Sequence, residues 1–354
     1  GTLFQREVMH PIAARRILRL ALGTALSLCV SQMVGWQLSF IAPVLTLLIL
    51  ALPLPAPRLR QGVVFVVALL APMIAGLALL PLLEQARWAG ILIVALALFY
   101  SFYFTARGGS AVLGTFITVG LTLVVTIGSV SGEVMILLVE AMAINAVCGM
   151  AFVWIAHALL PDLPAEVRTP AAKAPPPKPE PAAAARSALR SLLIVLPIVL
   201  LFLYMSGSPA YTVVMIKVAS MGQQASTDHT QAMGRSLLRS TMWGGLGAMI
   251  GWALLSAWPS LLLYSLLMGL AGLVFGRGIF RGPAVHPDFS MWSYALMTTI
   301  IILAPAVTDN PLTGGSGAAI GSRLALFLLI AVYGIASVAV FDAFLPGKRT
   351  PPAN

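Results

Sequence analysis

Long apolar runs, most of about 17–25 residues, follow one another from end to end of this chain with only short polar loops between them. Hydrocarbon offers no hydrogen bonds to a free backbone, so only α-helices and closed barrels can cross it. A barrel needs strands of about ten residues with strict alternation, a pattern this sequence lacks. Charge settles the solvent. Only 9% of the 354 residues are charged, where a soluble domain carries roughly 25%, and the mean hydropathy is +0.97. The pattern predicts an all-α polytopic membrane protein of about 12 transmembrane helices.

The predicted spans fall near 17–36, 39–56, 62–83, 88–105, 111–129 and 134–159, then near 187–205, 210–222, 236–257, 259–275, 289–307 and 321–343. Between the sets lies PDLPAEVRTPAAKAPPPKPEPAAAAR, whose Pro, Ala and charge predict a solvated linker. The organisation is therefore an amphipathic segment at 1–16, a six-helix repeat at 17–160, a linker at 161–186, a second repeat at 187–345 and a tail at 346–354. The halves look like copies. ARRILRLAL (14–22) matches ARSALRSLL (185–193), and GMAFVWIAHALLPD (149–162) matches GIASVAVFDAFLPG (334–347). An even number of spans per half makes the repeats parallel.

Orientation follows the basic residues. Arg15, Arg16, Arg19, Arg58, Arg60, Arg107, the linker cations, Arg235, Arg239, Arg277 and Arg281 gather on one side, and Arg87 and Arg323 on the other. Both termini and the linker are thus expected in the cytoplasm of a bacterial inner-membrane protein. The net charge of +10 is dispersed over these loops, so a nucleic-acid partner is not expected. Cys29 and Cys148 lie in apolar runs without the spacing of a metal or redox site. The opening GTLFQREVMHPIAARR lacks the order of a secretory signal.

The candidate chemistry centres on YTVVMIKVASMGQQ (211–224). Lys217 stands inside an apolar run, where a cation costs roughly 2.5–3.5 kcal/mol on insertion scales. Its side chain either snorkels to the interface or serves as the counter-charge of an anionic substrate. Matching the opening arginines of the halves puts Lys217 opposite Thr46. Both second spans are short, the first stopped by PLPAP and the second expected to stop at GQQASTDHTQ. A short or interrupted segment at one place in both halves points to a transporter's binding site. Ser220, Gln223 and Gln224 complete the expected substrate contacts.

Charges elsewhere fit coupling or gating. Asp228 and His229 form a pair able to relay protons or simply a polar loop. Glu140 lies inside the sixth span with Asn145 five residues deeper, and the repeat alignment brings Arg323 near its counterpart, so the two are candidates for a gate or a structural pair. Arg235 and Arg239 could draw anions to a cytoplasmic vestibule as well as anchor the helices. His157 and Asp342, equivalent at the inner ends of the sixth spans, suggest no role. TDNPLTGGSGAA (308–319), with Asp309, reads as an outer loop.

FIAPVLT (40–46), AYTVVMIK (210–217) and RSTMWGGLGAMIG (239–251), set in two six-span halves that each open on a basic residue, resemble the fusaric-acid-resistance and aromatic-acid-exporter group. The large cytoplasmic domain that many of its members insert between the halves is replaced here by the Pro-rich linker, as in a compact form. The resemblance implies export of small organic acids, often aromatic, across a bacterial inner membrane, with an adaptor protein in the periplasm.

No Walker A motif, zinc ligand set or nucleophile elbow is present in the sequence, so no enzyme activity and no cofactor are expected. The expectation is a proton- or gradient-driven exporter of small organic anions, embedded in the lipid bilayer and compatible with a homo-oligomer. The rivals are a membrane scaffold without a transport cycle, a passive anion channel and an intramembrane enzyme acting on lipid-linked substrates.

Overall fold

The computed structural model describes residues 10–128, 132–164, 178–205, 211–227, 230–281, 286–308 and 316–344. Among them are twelve α-helices and no strand. In chain order they are α1 (Pro11–Val34), α2 (Ile41–Leu50), α3 (Leu59–Gln85), α4 (Arg87–Ala106), α5 (Ala111–Leu123) and α6 (Gly132–Leu159). Then follow α7 (Pro181–Tyr204), α8 (Tyr211–Thr227), α9 (Thr230–Ala257), α10 (Leu261–Ile279), α11 (Phe289–Thr308) and α12 (Ser316–Phe344). Eight of these are long and apolar enough to cross a bilayer. The chain is a multi-pass, all-α membrane protein.

Four helices depart from that standard, each for a physical reason. The ten residues of α2 reach only about 15 Å. The α5 helix has 13 residues and continues through a π-helical turn at Val124–Gly128. The 17 residues of α8 include a lysine and two glutamines. The 28-residue α9 dilutes its apolar content with glycine, serine, threonine and arginine. Two expected boundaries move. GQQAST does not end the second span of the later half; α8 runs on through Gln223 and Gln224 to Thr227. The expected linker gives way at Pro181, because PAAAAR joins α7 with a proline in its first turn, where the missing N–H costs nothing.

The helices assemble into two compact units. The first holds residues 1–63, 141–174 and 239–324; the second holds 64–140, 175–238 and 325–354. In the first unit α1 packs on α2 and α10, α11 packs on α10, and α2 packs on α11. The seam between α1 and α10 is close because Gly272 lies against Ala21: a Cβ there would sit 2.7 Å from the Ala21 Cα. Small residues at such a crossing are how helices associate in lipid, where the hydrophobic effect between them is absent. The second unit has the same circuit. There α7 packs on α8 and α4, α4 packs on α5, and α5 packs on α8.

In each unit two helices form the centre. Among the described side chains, α8 is buried at every position from Val214 to Ser226, and α5 at all but one from Gly114 to Thr126. The first unit buries α2 at every position but Leu48, and α11 from Ala295 to Ala304. Outward-facing residues of the flanking helices, such as Leu92, Leu96, Leu266 and Leu270, are large, apolar and exposed, as lipid contact demands.

Candidate functional site

Lys217 lies in the stretch of α8, Val214 to Ser226, that is buried at every position, and is itself 1% exposed. The side chain therefore does not reach a solvated surface. Its Nζ sits 5.9 Å from the ring centroid of Phe327 on α12, within the range of a cation–π contact. Ser220 and Gln224 follow at i+3 and i+7, so helical geometry puts both on the same face as Lys217. Both are buried, and the Ser220 hydroxyl donates to the Ile216 carbonyl at 2.8 Å.

Gln223 points the other way, into α5. Its Nε2 donates to Thr118 Oγ1 at 2.8 Å, Thr118 shares a 2.9 Å hydrogen bond with Ser101 of α4, and Ser101 donates to the Gly114 carbonyl at 3.2 Å. Gly114 makes this approach possible: a Cβ there would collide with Thr105 Oγ1 and lie 3.0 Å from Gln223 Oε1. The core of the second unit thus carries a cation, two amides and a chain of hydroxyls. In a low-dielectric setting such groups persist only when they are paired or occupied.

The matching place in the first unit is neutral. Thr46 of α2 is fully buried and donates to the Ala42 carbonyl at 2.8 Å and the Gly149 carbonyl at 3.1 Å, with Ser27 Oγ at 3.3 Å. Asn145 is spent on structure. Its Oδ1 accepts from Trp36 Nε1 and the Ala42 N–H, both at 3.0 Å, while its Nδ2 donates to the Gln37 and Ala141 carbonyls. One side chain thereby holds the turn that starts α2.

The other expected residues fall into three situations. Asp228, His229 and Asp309 lie outside the described residues. Glu140 is exposed on the second unit's part of α6, and Arg323 is half-buried in the first unit's part of α12. Arg235 is exposed, and Arg239 reaches Asp288 at 3.4 Å with both side chains about half exposed. Arg239 also lines an open cleft of about 890 Å³ in the first unit, together with His10, Arg277, Arg281, His286 and Trp292.

Two anchoring pairs escaped the sequence reading. Arg19, buried in α1, donates through Nε to the Leu160 carbonyl at 2.9 Å and meets Asp162 at 2.8 Å. Arg190, buried in α7, donates to the Ala225 carbonyl through Nε at 3.1 Å and meets Asp342 at 3.4 Å. Asp342 also binds Arg186 at 3.2 Å. The signal was present in the repeat: Arg19 and Arg190 are equivalent in ARRILRLAL and ARSALRSLL and stand inside their helices, not before them. His157 is buried nearby and directs Nδ1 to the Val153 carbonyl at 2.9 Å. The polar partners Thr118, Ser101 and Thr105 were hidden because single hydroxyls in an apolar run are common and cheap.

These features describe a multi-pass membrane protein of two similarly wired units, each with buried polar groups at its centre and one with a buried lysine. A family described as "Protein of unknown function (DUF2955)" matches residues 16–156, from the second turn of α1 nearly to the end of α6. No curated protein and no solved structure matches the chain.

Proposed function

We propose that the chain is an inner-membrane exporter of small organic anions, probed best with aromatic carboxylates, and that the anion binds beside Lys217 in the second unit. The observation that carries this reading is a buried lysine, in a stretch of helix buried at every position from Val214 to Ser226, at the place that the sequence match pairs with Thr46 of the other unit. A charge with no structural counterpart in an otherwise similar circuit suits a site for one anion. Intramembrane ionisable residues of this kind are functional by default. The Phe327 ring beside Lys217 supplies the flat apolar surface that an aromatic acid would share with the cation.

The matching circuits of the two units support descent from a duplicated six-helix repeat, with all twelve helices in the membrane region and both termini cytoplasmic. The family match at 16–156 covers one such repeat. In this reading the short α2 and α8 are sheltered by their neighbours, as a transporter's interrupted helices are. Coupling to protons through Glu140, Arg323, Asp228 or His229, and delivery to a periplasmic adaptor, complete the proposal; the adaptor rests on the resemblance to aromatic-acid exporters alone.

Proteoliposomes loaded with this protein should accumulate labelled hydroxybenzoate when a pH gradient is imposed and lose accumulation when it is collapsed. Uptake that is unsaturable and indifferent to the gradient would favour a passive channel. No flux above protein-free vesicles for any tested anion would favour the scaffold.

A further inference from the structure

The first unit carries a second feature that the transport reading does not use. An apolar groove of about 460 Å³ runs along the seam of α1 and α10, lined by Ile17, Leu18, Leu270, Leu273 and Val274. Leu18, Leu270 and Val274 are more than half or about half exposed, so the groove opens onto the surface that faces lipid. At its end it meets the basic cleft of about 890 Å³, and the two share Val274 and Arg277.

The cleft is electrostatically unbalanced. Among the described residues its one carboxylate is Asp288, which is engaged by Arg239 at 3.4 Å and accepts nothing from Arg277 or Arg281, and neither of these has an ion-pair partner there. Asp288 also offers its backbone N–H to His286 Nδ1 at 3.0 Å, which leaves the opposite edge of that ring to the cleft. Trp292 closes one wall and packs with Trp243 and Phe275, an aromatic group of the sort that marks the headgroup level.

From this continuity we infer that the α1–α10 seam is a binding site for an anionic phospholipid, with one acyl chain in the groove and the headgroup phosphate held by Arg277, Arg281 and His286. Charge complementarity selects the occupant. The planar fork of arginine matches phosphate oxygens in pairs, basic pockets between membrane helices hold anionic headgroups, and the adjoining groove accepts hydrocarbon that free phosphate does not have. A lipid seated there also bridges α1 to α10, the pair whose close seam depends on Gly272. The inference does not depend on the transport reading.

Native mass spectrometry of the full chain in detergent tests it, with phosphatidylglycerol and phosphatidylcholine of identical acyl chains as the probes. The expected result is one phosphatidylglycerol bound at least about tenfold more tightly than phosphatidylcholine. The double variant Arg277→Gln/Arg281→Gln should bring phosphatidylglycerol down to the phosphatidylcholine level, while Arg107→Gln, in the other unit, leaves it unchanged. If the double variant does not fold, Arg281→Gln alone, at an exposed position, should lower the affinity by about three- to fivefold. Equal binding of the two lipids, or undiminished binding by the arginine variants, overturns the proposal. So does displacement of phosphatidylglycerol by millimolar inorganic phosphate or hydroxybenzoate, which would make the cleft a site for soluble anions.

Discussion

At the scale of single residues the two units use charge for different ends. Arg19 and Arg190 fasten the first helix of each half to carboxylates, Asp162 and Asp342, whereas Lys217 stands at the place that the sequence match pairs with Thr46. Removing a carboxylate strands a nearly buried guanidinium. Asp162→Asn and Asp342→Asn should each destabilise by about 2–3 kcal/mol, the partial exposure of both carboxylates holding the cost below that of a fully buried pair. The thermal-denaturation midpoint in detergent checks this, and an unchanged midpoint would relegate the pairs to decoration. Thr118→Val removes the hydroxyl that positions the Gln223 amide. It should lower the denaturation midpoint in detergent, by the equivalent of about 1 kcal/mol, while the helical content stays the same. Lys217 was legible in the sequence because a cation in an apolar run is costly. The Phe327 ring beside it was not, because the two lie more than a hundred residues apart in the chain. Nor did the sequence disclose that Asn145 and Asp342 are fasteners, since both roles require contacts more than a hundred residues away.

At the scale of elements, periodicity and length placed the long helices within a few residues, because an apolar run has one economical conformation in lipid. The exceptions are instructive. Polarity at GQQAST predicted a break in α8, yet the helix continues, with the Gln223 amide received by the Thr118 hydroxyl of α5, which Ser101 of α4 supports in turn. The PAAAAR stretch read as linker by composition, although alanine is the strongest helix former and proline suits a first turn. Close helix seams are the other element-scale device. Gly272→Val would push a branched side chain into the α1 backbone at Ala21 and should cost about 1–3 kcal/mol, read as a lower denaturation midpoint. A variant as stable as wild type would mean that the seam of α1 and α10 is not close-packed in the membrane. Gly114→Ala should act in the second unit, by driving the Gln223 amide away from Thr118, and should likewise lower the denaturation midpoint.

At the scale of the whole molecule, composition alone established a multi-pass membrane protein, and the two units share one helix circuit. The sequence repeat gave no hint that each unit draws its helices from both halves of the chain, α1, α2, α10 and α11 in one and α4, α5, α7 and α8 in the other. Local sequence similarity carries no record of which distant helices pack together. The asymmetry between the units lies at one pair of places: a neutral hydroxyl at Thr46 and a cation at Lys217. Equilibrium binding of labelled hydroxybenzoate to the purified protein, wild type against Lys217→Met and Lys217→Arg, addresses that asymmetry directly. The account predicts that Lys217→Met weakens binding by at least about tenfold, that Lys217→Arg retains part of it, and that all three proteins keep the same helical content. Binding of equal strength by wild type and Lys217→Met would contradict the account.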